Sequence, residues 1–238
     1  MFTKSNKFLV EAIWTPNQDI IWIQRLTLIS IGIAFLIIAA KVKLILPLSP
    51  VPITLGTFAV LTIGTTYGQR LGLLTIFGYL LIGMLGFDVF ANSSAEANGL
   101  NYMLGGTGGY LIGYCFAVMA LGYFAKLNWD RNIFKLGIAL LFANILIYGP
   151  GLLWLGQLYG WDQPILAWGL TPFIVGDLLK LALTASLIPL ILKPFVPLRL
   201  ESFIVGFAIS YPILCVKFGI TSLLKEKVST WYFLICAK

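Results

Sequence analysis

The sequence predicts an all-α integral membrane protein, a bundle of six transmembrane helices, on three observations. Of its 238 residues 59% are hydrophobic and only 11% are charged, whereas soluble domains carry charge on about a quarter of theirs. Mean hydropathy is +0.94. The apolar residues also gather into segments approaching the roughly 20 residues that cross a bilayer as a helix.

Taken in order, spans are predicted near 26–46, 56–68, 71–87, 107–125, 134–157 and 172–192. Before them comes an N-terminal segment, residues 1–25, in which Met1 to Gln24 carries no apolar core followed by the small-residue cleavage site of a signal peptide. Asp19, Trp22 and Arg25 beside Ile20, Ile21 and Ile23 read either as an amphipathic approach to the membrane or as a solvated terminus. The second span is short, and Pro47, Pro50 and Pro52 ahead of it predict an extended segment dipping toward the membrane. Irregular backbone at that depth must be buried in protein or line a cavity. The six-helix domain is expected over 26–198. Residues 199–238 are apolar but carry Pro212, Lys217 and the run Lys225-Glu226-Lys227, and read equally as a seventh helix or an interfacial tail.

Basic residues set the expected orientation, since Lys and Arg are retained on the cytoplasmic side. With the N-terminus inside, Lys4, Lys7, Arg25, Arg70, Lys126, Arg131, Lys135, Lys193 and Arg199 all fall inside, against Lys41 and Lys43 outside. The formal charge of +7 is thus spread between spans instead of forming a nucleic-acid surface. Without a single histidine, His-based triads, haem ligation and HExxH chemistry are excluded. Cys115, Cys215 and Cys236 have no paired spacing, so neither a disulfide framework nor a metal site is expected. No Walker loop is present, so ATP-driven work would need another chain.

Three features could carry chemistry. GDLLK in the last span places Asp177 and Lys180 one turn apart. A lone ionised group near a helix centre costs about 2.5–3.5 kcal/mol to insert, whereas residues three apart share a face and neutralise each other. The pair is therefore either structural or a site for a small molecule with both donors and acceptors. If Thr171 caps that helix, Asp177 lies about 8 Å and Lys180 about 12 Å below its outer end. The second feature is LGGTGGYLIG, whose Gly105, Gly109 and Gly113 form a smooth face for close packing. Its outer end, at Thr107 and the N–H groups of Gly108, Gly109 and Tyr110, is a candidate ligand contact. The third is the long outer loop FDVFANSSAEANGLNYMLGG, read as a binding loop or as disordered, with Phe87, Phe90 and Tyr102 beside Asn92 and Asn101.

VPITLGTFAVL, GQRLGLLTIFGYLLIGMLG, VFANSS, TGGYLIGY and GDLLKLALTA occur in that order. Together they resemble the BioY family, the biotin-specific substrate-binding (S) components of energy-coupling factor (ECF) transporters, over roughly residues 26–195. The resemblance implies biotin capture at the outer face of the cell membrane, with uptake driven by a transmembrane coupling protein and two ATPase subunits. It implies no catalytic residue, metal or cofactor beyond biotin as transported ligand. It also implies ligand contacts at Asp177, Lys180, Asn92, Thr107, Tyr110, Thr54, Leu55 and Phe90, and a coupling surface at Ser30 and Ala34. The chain departs from the family pattern at Gly56, often Gln, at Gln69 and Gly106, often Pro, and at Asp88, usually small or Pro. Two other readings stay open: a stand-alone carrier for biotin or another small polar vitamin, and a membrane enzyme, which would need more ionisable groups at one interface.

Overall fold

A computed structural model describes residues 8–10, 19–44, 51–93 and 98–192. The expectations for 199–238, for Pro47 and Pro50, and for most of the N-terminal approach lie outside these residues. The described chain is mostly helical. Helix α1 is Ile21–Lys41, followed by a two-residue hairpin of β1 (Lys43–Leu44) and β2 (Ile53–Thr54). Then come α2 (Gly56–Met84), the short α3 (Gly99–Met103), α4 (Gly108–Lys126), α5 (Ile133–Tyr159), the short α6 (Ile165–Gly169) and α7 (Ile174–Leu192). Single 3₁₀ turns, Trp129–Arg131 and Thr171–Phe173, precede α5 and α7.

Among the described residues, four helical stretches are long and apolar enough to cross a membrane: Ile21–Lys41, Gly108–Lys126, Ile133–Tyr159 and Ile165–Leu192. Their apolar residues point both inward and outward. Phe134, Leu153, Val175 and Leu179 are exposed on the outer surface of the bundle, which suits lipid as solvent. The first helix begins at Ile21, earlier than the expected 26, so Trp22 and Arg25 belong to its first turns.

The two spans expected at 56–68 and 71–87 are the two legs of α2. Gly68, with φ 74° and ψ −176°, reverses the helix. A side chain built on Gly72 would sit 3.7 Å from the carbonyl oxygen of Ile63, whereas a straight helix would separate these positions by about 13 Å. The first leg runs antiparallel to α1, with Tyr67 donating to the Leu28 carbonyl at 3.0 Å and Phe35 edge-on to Phe58 at 6.2 Å. The second leg runs alongside α1, where Gly32 meets Thr75 and Gly78 meets Ile33.

Gly68 occupies a backbone region that essentially only glycine adopts, and the Phe8 ring fills the place of its missing Cβ. Gly68→Ala should therefore destabilise the protein by about 1–3 kcal/mol from backbone strain alone. Thermal unfolding in detergent checks this, and Gly68→Ala combined with Phe8→Ala should recover only the steric part.

Packing of α4 on α5 uses the predicted glycine face. A Cβ on Gly113 would approach Ile147 Cα to 2.7 Å, and one on Gly109 would reach Gly151 Cα at 2.9 Å. Gly105 departs from that face. It lies in the turn before α4, where its carbonyl accepts the Trp154 indole N–H at 2.9 Å.

Candidate functional site

The expected cap on the last helix is corrected by the structure. Thr171 donates its hydroxyl to the Leu166 carbonyl at 3.1 Å and sits in a 3₁₀ turn, so α7 starts at Ile174. Pro172 fits the tighter turn because its missing N–H is not needed there. Asp177 consequently lies in the first turn of α7, where a carboxylate suits the positive end of the helix dipole.

Asp177 and Lys180 are both buried and bonded, Lys180 Nζ lying 2.8 Å from Asp177 Oδ1. Their i, i+3 spacing dictates that contact, but the rest of the shell comes from other helices. The Tyr148 hydroxyl, from α5, donates to Asp177 Oδ2 at 2.5 Å, and the Thr57 hydroxyl, from α2, donates to Oδ1 at 3.2 Å. Lys180 spends its other two protons on the Thr54 carbonyl at 2.6 Å and on Thr57 Oγ1 at 3.1 Å. An ammonium has three donors and all are used, while a carboxylate has about four acceptor positions and three are used.

Lys180 faces a cavity that is open on one side. Its walls are aromatic: Tyr79, Tyr102, Tyr110, Tyr114 and Tyr148 line it with Phe90 and Phe173. Tyr110 and Tyr114 stand one turn apart on α4. Tyr110 meets Tyr148 edge-on at 5.9 Å and donates to the Gly169 carbonyl at 2.9 Å, joining α4, α5 and α6. Leu36 and Ala40 close the α1 side. The arrangement offers flat apolar faces above a paired cation and anion, which suits a small ring carrying N–H donors and a carbonyl.

Of the residues singled out from sequence, Lys180, Thr54, Thr107, Tyr110 and Phe90 line this cavity, and Asp177 is bonded to Lys180 and Tyr148 at its base. Two do not reach the wall. Leu55 is exposed because it is the residue from which α2 starts and its side chain turns outward. The Asn92 side chain instead accepts from Lys43 at 3.0 Å, while its main chain bonds to the Tyr102 hydroxyl, which also bonds to Thr107. The N–H groups of Gly108 and Tyr110 are not free for a ligand, since they donate to the Gly105 and Thr107 carbonyls. Ser30 and Ala34 do not line the cavity and are exposed on α1. Thr57, Tyr79, Tyr114 and Tyr148 were missed. A signal existed, because hydroxyls inside apolar helices need partners.

At the mouth, the loop after α2 folds over the cavity. Phe90, which is 1% exposed, stacks on Tyr102 at 4.8 Å and meets Tyr79 edge-on at 5.3 Å. Asp88 outside it is held below the usual carboxylate range by hydrogen bonds from Lys41 and Ser93. Its ion pair with Lys41 is therefore present above the ordinary carboxylate pKa and is lost only as pH falls through the depressed one.

A model of the BioY family matches residues 9–196. A biotin transporter BioY from Thermotoga maritima is 33% identical over 167 residues, covering 70% of this chain and 95% of that protein. A probable biotin transporter BioY from Pyrococcus horikoshii is 32% identical over 160 residues, covering 67% and 90%. A crystal structure of the S-component for biotin from an ECF-type ABC transporter superposes with a TM-score of 0.62 at 28% identity, covering 71% of this chain and 90% of that one.

Proposed function

The chain belongs to the BioY family, and from that premise we propose that it is the biotin-binding S component of an ECF-type importer. The observation that carries the reading is the buried Asp177–Lys180 pair beneath an aromatic cavity. Biotin's ureido ring presents two N–H donors and one carbonyl. Asp177 has an acceptor position left for an N–H. Lys180 has no donor left, so it can take a ligand carbonyl only by releasing the Thr54 carbonyl or Thr57. Ligand binding is thereby linked to β2 and the hairpin that forms one wall of the mouth.

In this reading the two legs of α2 count separately, giving six spans with α1, α4, α5 and the α6–α7 stretch. Arg70 and Lys126 lie at the bundle end opposite Lys41 and Lys43, where Gln69 accepts from Lys126 at 2.5 Å, and the basic excess at that end supports a cytoplasmic N-terminus. Exposed Ser30 and Ala34 on α1 are available to a transmembrane coupling protein, which with two ATPases would supply the energy this chain has no Walker loop to harvest. The curated relatives are named as transporters, which sets aside the enzyme reading. Co-purification with a coupling protein and ATPases separates the importer from a stand-alone carrier.

The direct test is calorimetric titration of the purified protein with biotin beside Asp177→Asn and Tyr148→Phe. Saturable binding is expected for the wild type. Asp177→Asn should weaken it by about 2–5 kcal/mol, since a charged hydrogen-bond acceptor is lost in a buried site. Tyr148→Phe, which leaves the carboxylate but frees its Oδ2, should lose less. A wild-type protein that takes up no biotin would refute the proposal.

A further inference from the structure

Two lysines on the outer rim make contacts that nothing about ligand recognition requires. Lys41, the last residue of α1, places its ammonium 2.5 Å from Asp88 Oδ1 and 2.9 Å from the Phe90 carbonyl. Lys43 in β1 donates to the next carbonyl, that of Ala91, at 2.5 Å, and to Asn92. Phe90 and Ala91 are themselves part of the cavity wall. Both carbonyls flanking this stretch of wall are thus held by cations on a different element.

Among the described residues, the loop after α2 has few other hydrogen bonds: Leu85 on Leu81, Gly86 on Gly83, Val89 on Phe87, Tyr79 on the Val89 carbonyl at 3.3 Å, and Ser93, whose hydroxyl donates to Asp88 and, at 3.0 Å, to the same Phe90 carbonyl. The Phe90 ring fits because Gly83 beneath it has no Cβ, the ring occupying that space. Each ring pair contributes only about 0.5–1.5 kcal/mol beyond the area it buries. The charge-assisted bonds from Lys41 to the Phe90 carbonyl and from Lys43 to the Ala91 carbonyl fix the height and register of the ring over the cavity.

We propose that Lys41 is a positioning residue of the outer gate: paired with Asp88 and bonded to the Phe90 carbonyl, it seats Phe90 over the cavity and so sets how fast a bound ligand escapes. The inference rests on the biotin-binding reading for its kinetic test, but the seat itself exists without ligand and is tested separately.

The experiment compares wild type with Lys41→Met, Lys41→Arg and Asp88→Asn. In the ligand-free protein, hydrogen–deuterium exchange of the peptide covering 85–93 should quicken several-fold in Lys41→Met and return toward wild type in Lys41→Arg. With labelled biotin, the dissociation rate should rise about ten- to 150-fold in Lys41→Met, matching loss of a hydrogen bond from a charged donor, while the association rate changes far less. Asp88→Asn should give a smaller rise, and 0.5 M salt should speed escape from the wild type but not from Lys41→Met. Unchanged exchange in Lys41→Met overturns the proposal, as does an affinity loss carried by slower association. If the wild type binds no biotin, the functional reading fails, and the exchange measurement still decides whether Lys41 seats the gate.

Discussion

Lys180→Met should both unfold the protein more readily and abolish tight binding. Lys180 is bonded to Asp177, Thr57 and the Thr54 carbonyl, so the substitution leaves a buried carboxylate with no counter-charge and a buried carbonyl with no donor. Breaking one partner of a buried pair costs about 3–5 kcal/mol, because the remaining charge is uncompensated. The affinity for biotin should fall by about 2–5 kcal/mol, roughly 30-fold to several thousand-fold. Adding Asp177→Asn to Lys180→Met removes the stranded charge. That double variant should regain much of the thermal stability and none of the binding. Melting curves and titrations of the two variants check this, and a Lys180→Met protein that melts with the wild type would show that the pair contributes nothing to the fold.

The second large effect is expected at a residue with no polar chemistry. Gly109→Val introduces a Cβ 2.9 Å from Gly151 Cα and closer still to the Pro150 carbonyl and Trp154 Cβ. These neighbours are largely backbone, so they cannot rotate away, and α4 must separate from α5. Overpacking typically costs 1–3 kcal/mol and more where the backbone resists; here about 3 kcal/mol or more is expected. The separation would also draw Tyr110 from Tyr148 and from the Gly169 carbonyl, so ligand affinity should fall with stability. Gly137→Ala is the control, because nothing lies within 4 Å of its added methyl, and it should be neutral or stabilising by up to about 1 kcal/mol. Size-exclusion profiles and thermal midpoints of the two variants separate a packing effect from a general intolerance of substitution.

Much of the architecture was legible along the chain because lipid imposes a simple rule: a span must be long, apolar and internally hydrogen-bonded. That rule located the helices, including the break between the two legs of α2, although the reversal falls at Gly68, just before the expected gap at Gln69 and Arg70. It could not locate the start of α1, because Trp22 and Arg25 are as compatible with an interfacial segment as with a helical turn. Thr171 misled for a similar reason. Its position before a proline imitates a helix cap, and only the neighbouring Leu166 carbonyl diverts its hydroxyl.

Within the site, one contact was readable from the chain alone: Asp177 and Lys180 meet because a helix brings residues three apart onto one face, whatever surrounds it. The rest of their surroundings came from how the helices pack. Thr57 lies 120 residues from Asp177 and Tyr148 lies 29 away, and their hydroxyls converge only because α2, α5 and α7 pack side by side. That packing depends on how closely backbones approach at Gly109 and Gly113 and on the sense of the reversal at Gly68. Helical periodicity is a local property that each segment carries alone, whereas which faces are buried together follows from shape complementarity between segments that the chain separates by a hundred residues.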